Sequence, residues 1–462
     1  MSIRQLRARL PRDESGMGIV EILVSLMIFA IVAIGMAYSL IAMTRLSGDA
    51  QARETASNLA AAEIDRVAAM PDAFNVHSMV TPKQVVIDGI TFNVDLNVGW
   101  VSANGSTGKC GMGGGNLQYK RVNVTVTWDG MYLQNPVRAD SALAPSTRIN
   151  DPTAGTILVS VVNESGVGQS GIAVSAAKTS GGLGITDPIP ATDVDGCSYV
   201  LKAPPGTYNL TITKSGYIDT NQVLLPTTSP ITVVAGTATS VPLQADQAHT
   251  YTPKYAANST RTVRLPSNLD ITYYGQAASA PLTEAATGTR KLYPWTSGYQ
   301  AVAGNPLTCA ANDPEKWIAD TAADKAAGVR AFAVPATPGG SANLPVAMGV
   351  AEIKMPSSGG TYLSAVAQDD TTDGQPGCAS GSATKYTFAS MPAGSTQNIA
   401  LPYGSWRLYY GTSAGSTSNS LTSNVNVRDG VLEPVDGGVA TGVSGGGTFS
   451  GGVLTFDPRM DP

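Results

Sequence analysis

At 462 residues the chain is longer than one hydrophobic core commonly serves, and roughly three or four domains are expected. Charged residues make up only 14% and the net charge is −5, which argues against a general nucleic-acid-binding surface, since that needs clustered Lys and Arg. Frequent Gly (50) and Pro (29) among many Thr, Val and Ser residues point to short strands and turns, as in extracellular β-sandwiches.

The first predicted element is a long helix. An apolar run from Ile22 to Met43 follows Gly16-Met17-Gly18-Ile19-Val20-Glu21, with Arg4, Arg7, Arg9 and Arg12 ahead of it. About 20 apolar residues at 1.5 Å per residue span a bilayer core, and a basic flank stays cytoplasmic, so the bulk of the chain is expected outside. Glu21 sits just inside the run, where a lone carboxylate is costly unless it has a partner or a function. An α-amino group would be such a partner, and a cut after Gly16 would create one on Met17, with Glu21 then fifth. Beyond Met43 the pattern becomes amphipathic. Ala52, Ala56, Leu59, Ala60, Ile64 and Val67 recur at helical spacing, with Arg45, Asp49, Arg53, Glu54 and Asp65 between them. Pro71 stops the helix near Met70, and a continuous helix from Met17 would be about 80 Å long, with Gly35 its weak point.

Gly16, Met17 and Glu21 resemble the N-terminus of type IV prepilins and pseudopilins. The resemblance implies that a prepilin peptidase of the inner membrane cuts after Gly16 and that the Met17 amine is N-methylated. It also implies that Glu21 pairs with the amine of a neighbouring pilin subunit during assembly. Met17-Gly18 departs from the usual phenylalanine and threonine, although the family tolerates methionine first. An ordinary signal anchor has no use for a buried glutamate, and a cleaved secretory signal has a shorter apolar region. Without residues 1–16, which hold four Arg and two carboxylates, 25 basic and 32 acidic residues remain, a net −7.

A β-rich head is expected over 71–150. Val85-Val86-Ile87 and Ile90-Thr91-Phe92 flank Asp88-Gly89, a two-residue hairpin signal. Phe92, Val94, Leu96, Val98 and Trp100 alternate, as do Val122, Val124, Val126 and Trp128. Tyr119 to Trp128 looks like the closing strand of V-type minor pilins. Gly105 to Gly115 reads as a connecting loop, because its Gly108-Lys109-Cys110 lacks the remaining features of a phosphate loop.

After a linker near Pro145 to Gly155, a module over 151–245 should place strands at Thr156 to Val162, Ile172 to Ala177, Cys197 to Leu201, Tyr208 to Ile212 and Thr239 to Leu243. Asp193-Val194-Asp195-Gly196-Cys197, Pro204-Pro205-Gly206-Thr207-Tyr208 and Lys214-Ser215-Gly216-Tyr217 resemble carboxypeptidase-regulatory-like domains, which are prealbumin-like sandwiches with no catalysis of their own. Asp-Gly and Pro-Gly set turns there, and Tyr199, Tyr208 and Tyr217 can cover the core. Over 246–345 the reading is less defined. Val263 to Leu265 and Ile271 to Tyr274 look like strands, Trp295, Tyr299 and Trp317 could form a small core, and Asn312 to Trp317 reads as a turn with one helical turn. A second sandwich-like module is placed at 346–435, where Leu401-Pro402-Tyr403-Gly404-Ser405-Trp406 echoes Ala203 to Tyr208. Residues 436–462 read as a Gly-rich tail in which Val453 to Phe456 adds an edge strand.

Cys110, Cys197, Cys309 and Cys378 lie in the exported part, where disulfides persist. They allow three pairings; the preferred one joins Cys309 to Cys378 and Cys110 to Cys197 across two modules. No cysteine has zinc-site spacing, and His77 and His249 are isolated. Asp193 with Asp195, and Asp369, Asp370 and Asp373, read as solvated turns rather than calcium loops. Gly442-Val443-Ser444-Gly445-Gly446 fits a nucleophile elbow formally but lies in a flexible tail without the strand before it and the helix after it that the motif requires, so no catalytic, metal or cofactor residue is assigned. Lys109, Lys120 and Arg121 could touch DNA, a use known in some minor pilins, but a solvated strand end is preferred.

The expected fold is thus α+β followed by all-β: a pilin helix (17–70, membrane part 17–43) on an antiparallel head, then prealbumin-like or Ig-like sandwiches. The expected role is a non-enzymatic minor type IV pilin whose distal modules contact an unidentified surface ligand. A pseudopilin of a secretion system and a membrane-anchored surface enzyme or binding protein are the competing readings.

Overall fold

A computed structural model describes residues 18–111, 116–131, 135–145, 151–181, 183–224, 226–276, 281–286, 288–378, 384–432, 442–444 and 446–459. The chain divides into two compact units, Met1–Asp151 and Pro152–Pro462.

In the first unit, α1 (Ile19–Ala68) runs for 50 residues, about 75 Å at 1.5 Å per residue, and passes through Gly35 without a break. Five antiparallel strands follow: β1 (Lys83–Ile87), β2 (Ile90–Ser102), the short β3 (Thr107–Gly108), β4 (Leu117–Trp128) and β5 (Val137–Leu143), in the order β1-β2-β4-β5 with β3 on β2. Asp88 (φ 51°) and Gly89 (φ 79°) form the predicted two-residue turn, so that Ile87 pairs with Ile90. β4 is not the closing strand. β5 pairs with it from Val126↔Val137 to Lys120↔Leu143 and takes the edge, with Val137, Ala139 and Leu143 packed against the core that the helix shares. The buried positions of α1, Asp49, Ala52, Ala56, Ala60, Glu63 and Val67, repeat at three- and four-residue steps, and the hydrophobic ones among them pack on Val94, Leu96, Val98, Val122, Val124 and Val126.

The second unit opens with a sandwich. β6 (Gly155–Val162), β7 (Ala173–Ser180), β8 (Cys197–Ala203), β9 (Gly206–Thr213), β10 (Tyr217–Asp219), β11 (Ile231–Val233) and β12 (Ala238–Gln247) form two sheets, β10-β12-β6-β8 and β11-β9-β7. β12 runs parallel to β6, and the others pair antiparallel. Ile157, Val159, Val161, Tyr208, Leu210 and Ile212 fill the space between the sheets. The Asp-Gly turn needs its glycine: Gly196 has φ 80°, and a Cβ there would lie 2.2 Å from the Val161 carbonyl oxygen.

The distal part departs from the expected division at 345/346 and 435/436. Tyr251, Tyr273, Trp295 and Trp317 share one core with Val350, Trp406 and Phe456. Nor does the C-terminal segment form an edge strand: Val453–Phe456 lies between Gly404–Gly411 and Gly447–Ser450. Leu454 and Phe456 are fully buried, and Gly349 leaves the room that the Phe456 ring occupies. Residues 433–441 lie outside the described residues. Val263 to Leu265 is not a strand; it contributes a single bridge, Arg264 to Ile399, while Asp270–Tyr274 pairs on both sides.

The echo of Pro204 to Tyr208 in Pro402 to Trp406 is structural. Tyr208 Oη donates to the Pro204 carbonyl at 2.8 Å, and Trp406 Nε1 donates to the Pro402 carbonyl at 2.9 Å, both rings fully buried. Around each corner the pairing is the same: β6 with β8 and β7 with β9, against Gly349–Lys354 with Thr396–Leu401 and Tyr362–Gln368 with Gly404–Gly411.

Candidate assembly helix and its head

Gly16 and Met17 lie outside the described residues. Gly18 is the N-cap of α1 and accepts from the Glu21 N–H at 2.9 Å, so Glu21 stands in the first turn, near the positive end of the helix dipole. Its surroundings are apolar: Ile19, Val20, Ile22 and Leu23 are all exposed, as are the large side chains onward to Met43. The apolar half of α1 has no buried residue and is long and apolar enough to cross a membrane. One carboxylate is thus carried on an otherwise greasy cylinder.

The other half of the helix is held on the sheet by more than its alanines. Asp49 and Glu63, which a polar-face reading leaves in solvent or passes over, are buried. Arg53 Nε meets Asp49 at 2.8 Å and lies 5.4 Å over the Trp128 ring, while Arg66 Nη2 meets Glu63 at 2.5 Å. The Glu63 hydrogen bond pushes the Arg66 pKa up. The available sequence signal was the i, i+4 and i, i+3 spacing of the pairs.

The cationic candidates separate. Lys120 is buried; its Nζ donates to the Val76 carbonyl at 2.6 Å and lies 5.1 Å over the Trp100 ring, which removes it from any DNA-facing surface. Arg121 stays on the outer face beside Asp140 at 3.6 Å, and Lys109 lines a shallow recess with it. The acidic candidates are engaged with their own loops. Asp193 Oδ1 accepts from the Asp195 and Cys197 N–H groups at 2.9 and 2.8 Å, and Asp370 Oδ1 from Thr372 N at 3.1 Å. Among the described residues no group of three His, Cys, Asp or Glu could hold a metal ion. Gly442–Ser444 is a strand on Val425–Leu432, without the helix that a nucleophile elbow requires. Cys309 is bonded to Cys378, and no described cysteine is free.

No protein-family model matches the chain, and no curated protein matches it in sequence. Among solved structures, the Bacillus anthracis TIE protein aligns over 75% of this chain and 70% of its own, at 11% identity and a TM-score of 0.19. A Streptococcal ancillary pilin aligns over 63% of this chain and 98% of its own, at 10% identity and a TM-score of 0.15. BcpA, the major pilin subunit of Bacillus cereus, aligns over 59% and 92%, at 12% identity and a TM-score of 0.17. At TM-scores this low the likeness carries no argument about this chain.

Proposed function

We propose that the chain is a minor subunit of a type IV filament, a structural protein rather than an enzyme, cut after Gly16 by a prepilin peptidase and carried in the inner membrane until assembly. One observation carries this reading: a single helix is an exposed apolar cylinder with one first-turn carboxylate over its first half, and is docked on an antiparallel head over its second. A plain membrane anchor requires only the first of these features. On this reading Glu21 of an incoming subunit neutralises against the Met17 amine of its neighbour as the helix leaves the bilayer, and so sets the axial register. Bulk favours a minor position. About 390 residues follow Met70, and carrying that bulk on every copy would crowd a close-packed fibre, whereas a tip has room.

The test is mass spectrometry of the N-terminus from sheared filaments and from membranes. N-methylated Met17 in filaments supports the proposal; the same terminus confined to membranes favours a pseudopilin, and an intact leader in both defeats it. Glu21→Ala should leave cleavage intact and lower the amount recovered in filaments, and unchanged recovery would refute the pairing. Gly16→Leu should leave an uncleaved membrane precursor.

A further inference from the structure

Where its apolar half ends, α1 meets a recess at the end of the head sheet. Ile22 to Thr44 carries no charged side chain over about 35 Å, so with Glu21 at one edge of a bilayer Arg45 falls at the other, level with the lipid phosphates. Arg45 also lines the recess, whose volume of about 410 Å³ lies within the range of small-molecule sites. Arg45 and Gly48 stand on its helical wall; Ile90, Asp129 and Met131 stand on the wall made by the sheet end. By four- and three-residue steps the Arg45 face of α1 continues toward the N-terminus as Ile41, Tyr38 and Ile34, all exposed. The recess and the membrane-facing surface are therefore continuous along one side of the helix.

Two opposite charges in this recess are left for a ligand. Asp49 is answered by Arg53 at 2.8 Å, but neither Arg45 nor Asp129 makes an ion pair among the described residues, and both are exposed. Asp129 is fixed in place by its backbone, whose N–H donates to the Thr91 carbonyl at 3.2 Å before Gly130 turns the chain at φ 80°. The space beside them is kept open by Gly48, where a Cβ would meet nothing within 4 Å. Glycine is a poor helix former, so that opening is held at a cost to the helix.

We propose that, while the chain is in the membrane, this recess binds the headgroup of an ethanolamine-type phospholipid. The Arg45 guanidinium suits the phosphate, whose oxygens its planar fork can meet in pairs, and the Asp129 carboxylate suits the primary ammonium. Ile90 and Met131, both half-buried, flank the headgroup with apolar surface, and the acyl chains run along Ile41, Tyr38 and Ile34. A headgroup with a phosphate and no ammonium would instead set a second negative charge near Asp129. The inference rests on the reading of α1 as a membrane helix before assembly, and adds a lipid partner to it.

The experiment places the full chain in nanodiscs of equal parts phosphatidylethanolamine and phosphatidylglycerol, and counts by native mass spectrometry the lipids that stay on the released protein. Phosphatidylethanolamine should be retained severalfold over phosphatidylglycerol. Gly48→Leu, which fills the recess without a clash, should lower retention of both lipids severalfold with a melting temperature no lower than that of the wild type. Asp129→Ala should abolish the preference without reducing the phosphatidylglycerol retained, and Arg45→Gln should weaken retention of both. Preference for phosphatidylglycerol, no enrichment of either lipid, retention indifferent to Gly48→Leu, or a Gly48-dependent dimer in place of bound lipid would each overturn the proposal. Filament recovery is scored on the same chains. A subunit that enters filaments but retains no lipid defeats this inference alone, and a lipid-retaining chain that never enters filaments defeats only the assembly reading.

Discussion

Two carboxylates in the second unit have pKa values displaced in opposite directions. Asp457 feels burial, which raises its pKa, but hydrogen bonds from Arg459 and Lys325, each at 2.8 Å, outweigh it and hold the carboxyl below its usual range. A depressed folded pKa contributes stability that is present above the unfolded value and lost as pH falls through the folded one, so this clamp weakens below about pH 4. Asp246 is raised, chiefly by burial, with Glu164 adding to the rise. Its contribution is therefore present below the unfolded pKa and lost as pH rises through the folded one, which leaves its ionised form unfavourable at neutral pH. Asp457→Asn should lower the melting temperature at pH 7 and Asp246→Asn should raise it, with both differences shrinking toward about pH 3. Thermal melts between those pH values check this; equal midpoints at pH 7 would remove the argument. The part Lys325 plays at Asp457 could not be read from the sequence, because 132 residues separate the two, whereas Arg459 lies only two residues on.

At the scale of elements, α1 depends on small side chains. Ala56 is fully buried beneath the sheet, and Ala56→Leu should cost about 1–3 kcal/mol by overpacking, whereas Glu54→Ala on the exposed face should be close to neutral. Denaturant unfolding of the full chain in detergent, followed by the fluorescence of Trp100 and Trp128, measures the difference; equal costs would mean that the helix is not seated by this stripe. The stripe was legible because it obeys a local period, and so was the Asp88-Gly89 hairpin, whose positive φ angles follow from two adjacent residues. The burial of Asp49 and Glu63 was not, since it depends on where Trp128 and the sheet end up.

Across the whole molecule, the distal body is closed by contacts between distant segments. Cys309 and Cys378 are separated by 69 residues, and both are buried. Replacing both with Ser should cost about 2–5 kcal/mol, chiefly by freeing the unfolded chain, and calorimetry with and without reductant would show it. A wild-type melting temperature insensitive to reductant, once free thiols are confirmed, would mean that the bond does not stabilise the native state. The corner shared by Pro204–Tyr208 and Pro402–Trp406 was visible as a sequence echo, because the turn and its covering ring lie within five residues. That the region from 246 onward joins the second sandwich in one core was not visible, because its strands are short and find their partners late in the chain.

What the sequence determined by itself was therefore local: the long helix and its apolar half, the lone Glu21, the hairpin turn and the alternating strands, each set by periodicity or by a few adjacent residues. Tertiary structure alone decided that β5 covers β4, that Lys120 turns inward to the Val76 carbonyl, and that Val453–Phe456 enters the middle of a sheet. It alone decided, too, that Gln222 meets Tyr293 and Tyr299 across a joint. Each of these pairs residues far apart in the chain, and their partnership is chosen by burial and hydrogen bonding after the chain has collapsed rather than by any spacing along it.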